Sequence, residues 1–411
     1  MNNTPATRDF GFATRGTTAL STAAPETASG VSVEIACAGR LADIRADWTD
    51  LLRRAAEPNV FMDPALIAIA HDSEPEGGHR ALLAWTNAGG REQLAGIWTF
   101  AVGRPRRSVL PMPVMRVPAF AHGYLATPVI DRDRLDETLD TMLDCIAASS
   151  VLPNIMSLDT MGTGGPTYEA LLRVLAARGS SPCVFDQVRR PKLASEADGK
   201  AYLEKALSGS SRKKLRQHRR KLAEQGSLTS SIAAEPEAVR QAVEEFLAME
   251  ASGWKGRQGT ALASNETDAA FMRGAIAALA ERGCATVHSI HLDGRPVSMQ
   301  IVVRAGAAAF TWKTAYDEAF HDFSPGMLLL EDYTAALLAD KSIAFVDSCS
   351  FDDSGFMSAW QERQSVADIW IDARRGGSLE FRALSGLQKS YRDVRNAAKA
   401  AYLKWRKTRK A

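Results

Sequence analysis

Residues 286–303 read TVHSIHL-DG-RPVSMQIVV, two alternating apolar runs joined by Asp293-Gly294. Alternation at period two marks strands, and Asp-Gly between them marks a tight hairpin turn. A third strand is predicted over Ala308–Ala315, a helix over Pro325–Leu338 and a strand over Ile343–Ser348. Upstream, Val239, Val243, Phe246 and Leu247 recur at helical spacing, as do Phe271, Met272, Ile276 and Leu279. The order is therefore helix, helix, three strands, helix, strand.

The earlier part of the chain repeats this order. Val31, Val33 and Ile35 alternate as a strand, and Leu41, Ile44, Trp48, Leu51 and Leu52 follow at helical spacing. Another helix follows Pro64, and Ala81–Trp85 and Leu94–Val102 flank the turn Asn87-Ala88-Gly89-Gly90 as a second hairpin. Helices near Leu135–Ile146 and Tyr168–Ala177 precede strands at Ile155–Leu158 and Cys183–Val188. The fold class is α/β (α+β), two similar units with mixed central sheets. The expected division is a disordered tail at 1–30, units at 31–190 and 227–372, a basic linker at 191–226 and a basic tail at 373–411.

The 411 residues are 45% hydrophobic and 24% charged, the composition of a chain with a real core, and the net charge of +2 excludes a general polyanion binder. Five scattered cysteines without a C-x-x-C pair fit a reducing compartment. No run reaches membrane-spanning length and no signal peptide opens the chain, so a cytoplasmic protein is expected, with peripheral contact at the inner membrane face left open.

Several ordered elements stand out: the basic helix ending at Gly226, Glu250-Ala-Ser-Gly-Trp-Lys-Gly256, Asp293-Gly-Arg-Pro-Val297, Lys313-Thr-Ala-Tyr-Asp-Glu318, Ser324-Pro-Gly-Met-Leu-Leu329 and Asp347 at a strand end. Asn59-Val-Phe-Met-Asp-Pro64 adds one in the first unit. Together they resemble the cellulose-biosynthesis acetyltransferases of the CelD/BcsL type, which are distantly similar to the Fem aminoacyl-ligases. The resemblance covers roughly residues 35–372 and implies tandem GNAT-like domains that move an acyl group from acetyl-CoA or another acyl-CoA to an amine or hydroxyl. The acceptor it implies is a saccharide or cell-envelope precursor, as in exopolysaccharide synthesis. GNAT domains typically grip the donor's pyrophosphate with a Gly-rich turn bearing an Arg. Between Asp317 and Leu328 this chain has one glycine, Gly326, and no arginine. Aminoacyl-tRNA, the donor of the Fem relatives, stays open.

The candidate site follows residue by residue. Ser324 suits a helix cap, Pro325 the first helical position, and Gly326 with Met327 opens a helix start that can receive an anion. Strict alternation puts Phe310, Trp312 and Thr314 on one face and Thr311, Lys313 and Ala315 on the other. Lys313 needs a partner there. Asp317 or Asp347 would supply it, as a structural ion pair or a tuned catalytic pair. Asp347, at the end of Ile343–Val346, is the first candidate for a general base and Glu250 the second. Trp254, Lys255 and Tyr316 are candidate substrate contacts, the alternative being a helix-end loop folded back on the domain.

Other chemistries find little support. His288 and His291 would point to opposite faces of a strand, and no metal motif is present, so no metal is expected. Gly162-Thr-Gly-Gly-Pro166 reads as a turn rather than a phosphate loop. Cys349 lacks a histidine near it in sequence. The basic segments 212–221 and 389–410 are candidate contacts for tRNA or an anionic membrane, or are simply solvated; no DNA partner is expected. A non-catalytic scaffold in a polysaccharide synthase system is the reading from outside enzymology.

Overall fold

The computed structural model describes residues 30–408 apart from 75, 77, 352 and 354; the tail expected to lack order lies outside them, save Gly30. The first unit comprises β1 (Val31–Cys37), α1 (Ala38–Leu41), α2 (Arg45–Arg54), α3 (Pro64–Ser73), β2 (His79–Ala88), β3 (Arg91–Gly103), β4 (Val114–Val117), β5 (Val129–Ile130), α4 (Leu135–Ala148), β6 (Ile155–Gly162), α5 (Pro166–Ala177) and β7 (Cys183–Leu193). Helices α6 (Gly199–Ala206) and α7 (Gly209–Ala223) connect it to the second. There follow β8 (Leu228–Ala233), α8 (Pro236–Ser252), α9 (Trp254–Arg257), α10 (Glu266–Ala280), β9 (Ala285–Leu292), β10 (Arg295–Ala305), β11 (Ala308–Tyr316), α11 (Pro325–Ala339), β12 (Phe345–Asp347), β13 (Glu362–Asp372) and α12 (Leu379–Thr408).

The hairpin that decides the fold forms as its sequence demands. Asp293 and Gly294 both take positive φ, 49° and 78°, the conformation a two-residue hairpin turn requires. The thirteen strands make one mixed sheet in the order β1-β2-β3-β4-β6-β13-β7-β12-β11-β10-β9-β8, with β5 beside β3. The two units exchange their last strands: β13 runs between β6 and β7, and β7 between β13 and β12. Val366, Ile369, Trp370 and Ile371 of β13 are fully buried, so this late strand completes the first unit's core.

One apolar cluster spans both units, with Phe61 at its centre. Its ring stands 5.5 Å from Phe310, 5.9 Å from Trp312 and 5.9 Å from Tyr124. The segment Asn59–Pro64 fixes that ring. The buried Asn59 amide donates to the carbonyls of Leu125 and Thr127, at 3.0 and 2.7 Å. Asp63 caps α3 through Ala65 N–H, accepts from Trp48 Nε1 and pairs with Arg282 of the second unit at 2.8 Å. This segment thus helps join the two units. The turn at Gly162–Pro166 likewise carries no phosphate loop, because the Glu57 carboxylate accepts from Thr167 N–H at the start of α5. A Cβ at Gly165 would fall 2.1 Å from Glu57 Oε1, so glycine is needed for that approach.

Helix α12 docks its first turns on β7 and β13. Buried Arg392 reaches Asp368 at 2.7 Å and Asp186 at 2.9 Å. Beside it, Asp159 faces Arg106 at 3.5 Å. Burial, then the Asp368 charge, pushes the Asp159 carboxyl up to about 6. Its folded value exceeds the unfolded one, so between about pH 4 and 6 the native state holds more protons and stability falls as pH rises. Asp159→Asn is expected to remove that slope and to gain roughly 1–3 kcal/mol at pH 7, checked by urea unfolding at pH 4, 5, 6 and 7.

Candidate functional site

Strands β11 and β12 run parallel and pair only at Ala308–Phe345, Ala309–Val346 and Phe310–Asp347. β12 ends at Asp347 while β11 runs on to Tyr316, so past Phe310 the two strands no longer pair, and that side of β11 is here termed the wedge. The first unit's loop after β4 reaches this wedge. Trp312 Nε1 donates to the carbonyl of His122 at 2.7 Å, and Lys313 Nζ lies 3.2 Å from His122 Nδ1.

Two consecutive residues meeting one histidine contradicts strict alternation. Opposite β10, Ile301 pairs with Lys313 and Val302 with Thr311, so Trp312 is the extra residue of a β-bulge. Lys313 is thereby turned to the face opposite Thr311, among the aromatic side chains between the units. Asp317 and Asp347, the partners expected for it, are not its partners. Asp317 caps the following turn through Ala319 N–H and pairs with Arg295.

Lys313 instead heads a chain of polar groups. Nζ donates to Tyr124 Oη at 2.7 Å and lies 5.1 Å from that ring's centroid. On its other side His122 accepts at Nδ1 and, through Nε2–H, meets Asp268 Oδ1 at 2.9 Å. Burial pushes the Lys313 ammonium down to about 8 against the pull of Glu250 and Asp268. Burial and the neighbouring Lys313 push His122 down to about 4, which keeps its imidazole neutral at pH 7. Burial raises Tyr124, so its phenol stays protonated. Desolvation of an amine without a carboxylate in direct contact is the cause that lets Lys313 release a proton near neutrality.

Asp347 is fully buried and its carboxylate is committed: it pairs with Arg190 and accepts Cys349 N–H at 2.9 Å. Arg190 is 1% exposed and donates its second nitrogen to the Tyr124 carbonyl at 2.8 Å. Asp347, the first candidate for the base, is thus held by Arg190 and the Cys349 amide, and through Arg190 it anchors the loop that carries Tyr124. Glu250, the second candidate, is also engaged, by Lys255 Nζ at 2.6 Å and Leu262 N–H at 2.8 Å. It acts on Lys313 through its charge.

Trp254, Lys255 and Tyr316 line a shallow cleft of about 40 Å³ with Glu250, Thr314 and Glu318. Trp254 is 46% and Tyr316 37% exposed. The larger opening, about 670 Å³, lies at the far end of β12 against Leu193, Leu337 and Phe345 and holds none of the expected residues. Ser324 does not cap α11 with its side chain: it adopts φ 53°, ψ 53°, and its carbonyl takes the N–H groups of Met327 and Leu328. Since Pro325 has no N–H, Gly326 is the donor this turn can present. The Phe356 ring sits 3.8 Å from where a Cβ at Gly326 would be. Alongside, α7 packs through Leu215 and Leu222 and ties Arg219 to Asp332 at 2.7 Å, while Lys213, Lys214, Arg216, Arg220 and Lys221 face outward. Cys349 is buried, and among the described residues no group of His, Cys, Asp or Glu is arranged to hold a metal.

His122, Tyr124, Asp268 and Arg190 escaped the sequence reading. His122, Tyr124 and Arg190 belong to the first unit and meet the second only where the two units pack, while Asp268 reaches His122 from α10.

Residues 209–350 match the acetyltransferase (GNAT) domain family, a span from α7 through β12 that holds both the bulge and the wedge. Two solved structures share the fold over most of the chain. FemX aligns at TM-score 0.54 with 12% identity, over 79% of this chain and 95% of its own. The C-terminal domain (DUF2156) of a putative lysylphosphatidylglycerol synthetase from Agrobacterium fabrum aligns at TM-score 0.51 with 14% identity, over 85% of this chain and 96% of its own. No curated protein sequence matches the chain.

Proposed function

We propose that this chain, an acyltransferase whose GNAT domain occupies its second half, moves an acyl group from an acyl-CoA to an amine or hydroxyl with Lys313 as the general base. The observation that carries the reading is the half-buried lysine turned by a bulge into the wedge of that domain, with its pKa depressed to about 8. In its neutral form the amine keeps two N–H groups on Tyr124 and His122. Its lone pair is then free for the acceptor's proton. Asp268 holds His122 in the tautomer that accepts at Nδ1. Tyr124, which stays protonated, donates toward negative charge developing in the wedge.

The donor contributes an activated thioester carbonyl: as the new C–N or C–O bond forms its C–S bond breaks, and the departing coenzyme A thiolate takes up the proton received by Lys313. Gly326 N–H and the outward cations of α7 are the groups that suit its phosphates, in place of the Gly-rich, Arg-bearing turn typical of such domains. Trp254 and Tyr316 offer flat apolar faces to a sugar ring, which supports a saccharide or envelope precursor as acceptor and agrees with the CelD/BcsL resemblance. Titration calorimetry with acetyl-CoA is expected to show saturable binding that weakens at least several-fold in Lys213→Gln/Lys214→Gln/Arg216→Gln. Heat-silent titrations with acetyl-, malonyl- and longer acyl-CoA would reject this donor.

A second donor, aminoacyl-tRNA, is favoured by one feature: five outward cations on a single helix beside the site. In that case tRNA affinity falls steeply with salt and is lost in the same triple variant. Equal affinity of parent and variant for tRNA rejects it.

A further inference from the structure

Helix α12 is 30 residues long, about 45 Å, and its first half is docked. Phe381, Ser385, Gln388 and Arg392 form the docked face, and Asn396 adds a bond to Asp186 at 2.9 Å. From Asp393 onward every residue whose exposure is described is exposed. Across this stretch a second line of residues runs beside the docked face: Leu387, Tyr391, Val394, Ala398, Tyr402 and Trp405, spaced by three or four. Leu387, Val394, Tyr402 and Trp405 are 55, 70, 56 and 51% exposed, and the Tyr402 and Trp405 rings lie 5.9 Å apart. The stripe read from the sequence as Tyr391 to Tyr402 thus continues at both ends and presents four large, mostly exposed apolar side chains.

Charge decides what such a face meets. Residues 389–410 contain nine Lys or Arg and one acid, Asp393. A second copy of the helix laid along this stripe would bring two strongly cationic segments together, which opposes self-association. A nucleic acid would use the cations and leave the apolar line in water. An anionic lipid surface uses both, because cations sit at the headgroups while Leu, Val, Tyr and Trp enter the interfacial layer. A helix of this length with one exposed half also gains order from such a surface, since propensity alone holds a few turns only marginally.

We infer that α12 is an interfacial helix that seats the protein on anionic membranes, with Leu387, Val394, Tyr402 and Trp405 as the inserting line. The assay is sedimentation of the full chain with vesicles of phosphatidylcholine alone or with 30 mol% phosphatidylglycerol, a composition of the order that gives the surface potential such helices read. Binding is expected to the anionic vesicles only, to weaken in high salt, and to fall about tenfold or more in Val394→Glu/Tyr402→Glu, whose substituted side chains lie outside the core. Trp405 fluorescence in a variant with its other tryptophans replaced by phenylalanine shifts to the blue on binding; if that variant does not fold, brominated lipid quenching of the parent replaces it. The inference fails if the Glu variant binds as the parent does, if both prefer RNA to vesicles, or if light scattering shows a dimer that this variant dissolves.

Discussion

Lys313→Met is expected to lower turnover by roughly 10²–10⁴-fold, followed as thiol released from acyl-CoA in the presence of amine and sugar acceptors. Removing the amine takes away the proposed base while leaving the donor contacts proposed on α7 and α11 in place. Lys313→Arg separates charge from basicity, because a guanidinium keeps the cation and cannot release its proton. Arginine is expected to be as inactive as methionine. In the parent, kcat/KM rises with pH toward a plateau governed by a group titrating near 8, the value burial gives Lys313. The same shift makes the folded form favour the neutral amine, so the lysine's cost to stability diminishes as pH rises from about 8 toward its unfolded value. A pH profile centred near 6, or a Lys313→Arg enzyme with parental activity, would sink this assignment.

Arg190→Met is expected to destabilise the protein by roughly 3–5 kcal/mol, measured by urea unfolding at pH 7. The loss comes from stranding Asp347 without its cation in a fully buried setting, and from the freed Tyr124 carbonyl. Pairing the change with Asp347→Leu removes the stranded charge and should recover most of the deficit. Equal instability of the single and double variants would mean that the guanidinium matters by its packing and not by its charge.

Much of the architecture was legible because period and turn chemistry agree. The hairpin at Asp293-Gly294, the helix α11 behind Pro325, and α7 with Leu215 and Leu222 inward all lie where the sequence places them. Strand β13 was not read, since its neighbours in the sheet are β6 and β7 rather than anything near it in sequence. The site was half legible. Lys313, Glu250, Lys255 and Asp347 all lie in the second unit, yet the lysine's direction depends on one bulged residue, which period-two reasoning cannot see. Its partners His122 and Tyr124 are about 190 residues away in the chain. The engagement of Asp347 was not legible for a physical reason: a carboxylate at a strand end looks available until the arginine that meets it, 157 residues earlier, is known.

The swapped strands bear on how the protein is made. A ribosome that has released β6 and β7 has not yet synthesised residues 362–372, so the gap between those strands stays open until nearly the whole chain has emerged. Their backbone groups are then available to any extended segment in the cell. Closure over so long a separation is slow, and a chain stopped short of Glu362 would carry that gap permanently. Cutting the gene at the apparent boundary between the units therefore produces two unfinished sheets, not two small enzymes.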